Sequence, residues 1–131
     1  MIRKSVFCFV VLQLLTACQV NDHAKLVFPD NSYRDVSWSQ DELARDIAVR
    51  NLHRGTHAST HLIRLQGNEF PHYHDHHDLS VTVLSGKSII HFQDHDVSLA
   101  PGDVIYIPQG TYHWAENPDP VASVGSVSYT H

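Results

Sequence analysis

Residues 67–86 read GNEFPHYHDHHDLSVTVLSG, and four of the chain's twelve histidines, His72, His74, His76 and His77, fall within six consecutive positions of it. His72 and His74 stand two apart. Successive side chains of an extended chain point to opposite faces, so this spacing sends both imidazoles from one face toward a common point. That arrangement suits a metal ion. The stretch then runs into an apolar alternation in which Leu79, Val81 and Val83 share a parity with His77.

Upstream, Ser59, His61, Ile63 and Leu65 alternate with Thr60, Leu62, Arg64 and Gln66, which predicts a strand with His61 as a core or rim residue on its more apolar face. Downstream, strands are expected near 79–85, 87–92, 96–100, 103–107 and 122–129. Turns separate them at Ser85-Gly86, Gln93-Asp94, Pro101-Gly102, Pro108-Gln109-Gly110 and Asn117-Pro118. Short strands, Gly and Pro turns and no alternation of strands with helices point to an all-β antiparallel sandwich or barrel. One short helix is expected near 39–47, because Ser39 and Glu42 have capping-box spacing and Leu43 and Ile47 follow at a helical interval. Residues 19–36 are polar, broken by Pro29 and Asp30, and read as a tether and turn region.

Arg3 and Lys4 precede a charge-free apolar run from Ser5 to Cys18, the size of a signal peptide and short for a membrane span. Leu15-Thr16-Ala17-Cys18 resembles the lipobox of bacterial lipoproteins. The resemblance implies a signal peptide over 1–17, removed on export, and a lipid on Cys18 at the periplasmic face of a bacterial membrane. Gln19 after the cysteine favours the outer membrane by the same resemblance. A tether over 18–38 and one domain over 39–131 then follow, with no thiol pair left for a disulfide. That mature chain holds seven basic and fourteen acidic residues, about −7 with neutral histidines. Such a surface is a poor partner for nucleic acid and for anionic headgroups, so any membrane attachment is through the lipid alone.

Gly102–Asn117 reads GDVIYIPQGTYHWAEN. Here the chain resembles the cupin superfamily, a group of small jelly-roll barrels with two sequence motifs. Gly102, Pro108, Gly110, His113 and Asn117 meet the second motif at every spacing. In the first motif His72, His74 and Gly86 match, Gly67 is one residue too close, and the glutamate is missing. The resemblance implies a metal held by His72, His74 and His113, for which Zn, Fe, Mn, Ni or Cu would serve since all accept imidazole nitrogen.

The fourth group is open. Leu79 stands where six residues before Gly86 would put the glutamate, and Asp78 stands one position earlier, a shorter carboxylate that a bulge would have to turn inward. Asp78 is the preferred fourth ligand, with His77 as an alternative that shares the inward parity. Tyr106 and Tyr112 are pocket candidates, and Tyr73 and Trp114 are nearby aromatics that core or rim packing would equally explain. His91, His95 and His131 read as surface residues. Glu69 and Glu116 are the carboxylates on offer as acid or base beside the ligands.

Three readings follow. The first is a lipid-anchored metal-binding cupin of unknown ligand. The second is a metal-dependent oxygenase or isomerase on a small substrate, since a three-histidine site without carboxylate resembles the thiol and diketone dioxygenases of the superfamily. The third is a metal-free binding or structural lipoprotein. A homodimer through edge strands is also what the resemblance suggests.

Overall fold

The computed structural model describes residues 25–131, so the expected signal peptide, the lipidated Cys18 and the first part of the expected tether lie outside the described residues. Period-two alternation organises most of the rest into strands. The order is β1 Lys25–Val27, β2 Tyr33–Asp35, α1 Gln40–Leu43, β3 Ile47–Arg54, β4 Ala58–Leu65 and β5 Gly67–Asn68. Then come β6 Leu79–Ser85, β7 Ser88–Phe92, β8 Asp96–Leu99, β9 Val104–Ile107, β10 His113–Asn117 and β11 Ser123–Thr130.

These strands form a five-stranded sheet in the order β3-β4-β11-β6-β9 and a four-stranded sheet in the order β5-β10-β7-β8. Every pairing is antiparallel. The last strand, β11, lies at the centre of the larger sheet, pairing with β4 on one side and β6 on the other. The main core consists of Leu79 and Val83 of β6, Ile90 of β7, Leu99 of β8, Ile107 of β9 and Val127 of β11. Each such side chain contributes about 1.5–3 kcal/mol by leaving water. Two sheets closing on these residues give the all-β architecture that the alternation predicts.

The helix is shorter than its apolar spacing suggests. Ser39 and Glu42 do form a reciprocal capping box, yet α1 ends at Leu43 and Ile47 opens β3. A longer helix would bury no face, as α1 has no buried residue. Strand β3 instead satisfies its backbone along the length of β4. In the region expected to be a tether, β1 and β2 pair as a hairpin from Lys25↔Asp35 to Val27↔Tyr33.

Residues 36–43 also have a packing role. Val36, Ala48 and Leu62 are buried, although they lie outside the main core cluster. Arg50 fastens this segment to β3: it donates to the Ser37 carbonyl at 2.5 Å, pairs with Glu42, and lies 5.1 Å from the Trp38 ring centre.

Gly86 closes the turn between β6 and β7. Its φ is +71°, and a Cβ there would come 2.8 Å from the Ser123 Cα, so a larger residue is opposed both by conformation and by the backbone of β11.

Ile107 is 1% exposed and Val104, on the same strand, is 61% exposed. Ile107→Ala is therefore expected to cost about 3 kcal/mol in denaturant unfolding, by lost burial plus a cavity. Val104→Ala should stay within about 0.5 kcal/mol. Equal effects at the two positions would overturn this assignment of inward and outward faces.

Candidate metal centre

The site begins with backbone pairing. His72 N–H donates to the His113 carbonyl at 3.0 Å, and His113 N–H donates back to the His72 carbonyl at 2.9 Å. Residues paired in this way project side chains to the same face, so the two imidazoles are neighbours before any ion is considered. His74 is held by the turn that precedes β10, where Gly110 N–H donates to the His74 carbonyl at 2.8 Å. Gly110 has φ +76°, which suits glycine and lets the Pro108-Gln109-Gly110 turn deliver His113 back to the sheet.

The three rings then converge. Their centres are 4.8 Å apart for His72 and His74, 4.7 Å for His72 and His113, and 5.5 Å for His74 and His113. One ligand nitrogen from each lies within 4.8 Å of the others. The remaining nitrogens are occupied in a way that favours metal binding. His72 Nδ1–H donates to the Phe70 carbonyl and His113 Nδ1–H to the Thr111 carbonyl, each at 2.8 Å. A carbonyl only accepts, so both protons sit on Nδ1 and both Nε2 atoms keep a lone pair. His72 Nε2 and His74 Nε2 are 3.1 Å apart. That is close to the ~3.3 Å between two nitrogens sharing a tetrahedral ion at about 2.0–2.1 Å. The donor set thus fits an ion of the imidazole-binding class.

The surroundings push His74 and His113 toward their neutral forms. Burial, then the neighbouring His72, His113 and His77 rings, lower the His74 pKa to about 4. Burial lowers that of His113, against its bond to the Thr111 carbonyl. The histidines line a cavity of about 70 Å³, walled mainly by apolar side chains such as Leu79, Val81, Ile90, Ile107 and Val127. A single water needs about 10–15 Å³ on this measure, so the space suits a ligand of only a few heavy atoms.

The other expected site residues are placed elsewhere. Asp78 is outside the group: its Oδ1 accepts from Gln109 N–H at 2.8 Å, and the Tyr106 hydroxyl bonds to it, which raises that tyrosine's pKa. The reason is strand parity. Leu79 is buried in the core, so the residue before it turns away from the cavity, and no bulge reverses the order. Tyr106 and Tyr112 are 61% and 45% exposed and do not line the cavity. His77 does not line the cavity: it precedes β6, and its Nδ1–H donates to the Thr130 carbonyl at 2.7 Å. It lines a neighbouring recess instead. Glu116 is bonded to His91 Nε2 at 2.7 Å, and Asp96 is bonded to that ring's Nδ1 at 2.6 Å.

Two cavity residues carry more weight than the sequence suggests. Among the described residues, Glu69 is the only carboxylate lining the cavity, where its Oε2 accepts from Ala115 N–H at 3.1 Å. The first-motif glutamate is absent, yet Glu69 brings a carboxylate to the same cavity from β5 and its following residue. Tyr129 lies with its ring 5.5 Å from His74, and burial followed by the charge of Glu69 raises its pKa. The inward parity of β11, on which Val127 and Tyr129 both fall, is the signal that could have found it.

The lowered His74 pKa has a consequence for folding. The unfolded chain takes up a proton near pH 6.5 while folded His74 stays neutral down to about 4, so its contribution to stability falls as pH drops through that window and then levels off. In chelator-treated protein, Tm should decline more steeply between pH 6.5 and 4 for the parent than for His74→Gln. Equal slopes would contradict the assignment.

Residues 61–124 match the family Cupin_2, described as a cupin domain. An uncharacterized protein of Aquifex aeolicus is 36% identical over 72 residues, so the match spans 55% of this chain and 60% of that relative's length. Among solved structures, the Cnp3 cupin domain of Schizosaccharomyces pombe is similar at a TM-score of 0.62 and 13% identity, covering 82% of this chain and 85% of that one. KdgF from a Halomonas species gives 0.61 at 21% identity, covering 73% and 87%. A cupin-2 domain protein of Shewanella frigidimarina gives 0.59 at 20% identity, covering 64% and 80%. At such identities the likeness is one of fold, and it agrees with the jelly-roll expectation. With its second motif, its two antiparallel sheets and its histidines at one cavity, this chain has the cupin fold and is similar to the Cupin_2 family over residues 61–124.

Proposed function

We propose that this protein binds one divalent transition metal, Fe, Mn, Zn or Ni, through His72, His74 and His113, and presents it to a small and largely apolar ligand. One observation carries the reading: two of the three imidazoles donate Nδ1–H to a backbone carbonyl two residues earlier, which aims their Nε2 lone pairs at one place. A bound ion would supply Lewis acidity and open coordination positions. The chain's own contribution is different. Its apolar wall excludes water, and Glu69 is available to hold or accept a proton at the edge of the cavity.

The oxygenase reading gains from one detail. Asp78 is engaged with Gln109 and Tyr106, so the donor set is three histidines with no carboxylate of its own. Whole protein purified in detergent is expected to bind one equivalent of metal by elemental analysis, and His113→Ala should bind at least tenfold more weakly. A parent that stays metal-free after reconstitution, or a His113→Ala variant that binds equally well, would leave the metal-free reading. Oxygen uptake by the iron-loaded parent with small thiols and diketones separates an oxygenase from a binder.

We also propose that the protein is lipid-anchored through Cys18 at the periplasmic face of a bacterial membrane. The support is Leu15-Thr16-Ala17-Cys18 after the charge-free apolar run that begins at Ser5. Labelled palmitate should enter the parent and not Cys18→Ser; equal labelling of both would refute the anchor.

A further inference from the structure

A second recess lies across Tyr129 from the histidine triad. Its volume is about 220 Å³, and Arg54, Ser59, His61, His77, Tyr129 and His131 line it with Val49. Tyr129 is the shared wall, with its ring 5.5 Å from His74 on one side and 5.2 Å from His61 on the other. We propose that this recess binds the carboxylate of a small organic acid.

Charge makes the first argument. The chain carries fourteen acidic and nine basic residues, yet this recess is lined by one guanidinium and three imidazoles with no Asp or Glu side chain. Among the described residues, none of Arg54, His61, His77 and His131 forms an ion pair with an acid. A concave group of cationic and donor side chains is a place where an anion is stabilised. Asp78, the nearest acid in sequence, is held elsewhere by the Gln109 backbone.

Hydrogen-bond accounting makes the second. Ser59 is 3% exposed, and its Oγ lies 3.1 Å from both His61 Nε2 and His131 Nε2. A hydroxyl has one proton, so it donates to one ring and accepts from the other. His77 Nδ1–H donates to the Thr130 carbonyl and lies 3.3 Å from His131 Nδ1. These bonds fix the rings as a braced set around Ser59, while the guanidinium of Arg54, at the end of β3, has no hydrogen-bond partner among the described residues. Its fork of N–H groups is free to meet both oxygens of a carboxylate.

Charge count and shape narrow the class. Burial, then Arg54 and His131 nearby, lowers the His61 pKa, and the Arg54 guanidinium is the group of this recess that carries a positive charge at every ordinary pH. One fixed charge matches a monoanion better than a phosphate dianion. Val49 and the Tyr129 ring supply apolar surface for the organic part of the molecule. The inference stands apart from the metal proposal, since none of the three convergent imidazoles lines this recess.

The test is calorimetric titration of the full chain in detergent, after chelation, with benzoate, benzamide and inorganic phosphate. Benzoate is expected to bind at least tenfold more tightly than either of the others. Arg54→Gln should weaken benzoate at least tenfold, Arg54→Lys should restore part of the loss, and Lys87→Gln, a remote charge change, should have no effect. All variants should keep the parent's Tm. Benzamide or phosphate binding as well as benzoate, or an Arg54→Gln variant that binds benzoate like the parent, would overturn the proposal. So would benzoate binding that appears only when metal is restored, because the carboxylate would then lie on the ion.

Discussion

The reciprocal backbone pair between His72 and His113 is the constraint on which the rest of the site depends. It joins the loop after β5 to the start of β10, two parts of the chain forty-one positions apart in the numbering. Each partner then closes the same local bond, from Nδ1–H to the carbonyl two residues back, so the orientation of each ring is set by its own backbone. His74 is added by the bond between its carbonyl and Gly110 N–H. The geometry that suits a metal is thus built from bonds to the main chain, none of which uses the Nε2 lone pairs of His72 and His113. Preorganisation of this kind lowers the ordering cost of binding.

Strand parity decides what accompanies the histidines. At β6 the core claims Leu79, and the acid one position earlier is turned out to meet Gln109 and Tyr106. The carboxylate in the cavity comes instead from Glu69, held by Ala115 N–H on the neighbouring β10. An apolar wall on one side and a single acid on the other give the cavity a strong polarity gradient over a short distance. In such surroundings a charge is poorly screened, which is why Glu69 influences both His113 and Tyr129.

Tyr129 is where the two halves of the functional surface meet. It lies on β11, the central strand of the larger sheet, which gives it a rigid mounting. On one side of the ring is an apolar cavity with convergent lone pairs, and on the other an open recess of donors and positive charge. Histidines so close in sequence as His74 and His77 therefore serve different chambers. Their separation is enforced by the bond from His77 to Thr130, at the end of that same strand.

Much of the fold is legible in the sequence because its signals are local. The period-two runs at β4, β6 and β11 and the turn residues between them mark strands, and the fixed spacings from Gly102 to Asn117 mark the second cupin motif. Buried Asn117 shows what that motif position does, since its Nδ2 donates to the Leu65 and Val121 carbonyls and braces the turn into β11. Helix α1 is shorter than its spacing suggests, because Ile47 gains more from pairing with β4 than from one further helical turn. The two-residue spacing of His72 and His74 marks them as sharing one face of an extended chain, and the motif resemblance adds His113. Whether Asp78 or Leu79 faces inward, that Glu69 reaches the cavity, and that His61, His77 and His131 gather around Ser59 were decided only by the tertiary structure. Each of these depends on the register between strands far apart in the chain, and register is set by pairing and core packing summed over the whole sheet, which no short stretch of residues encodes.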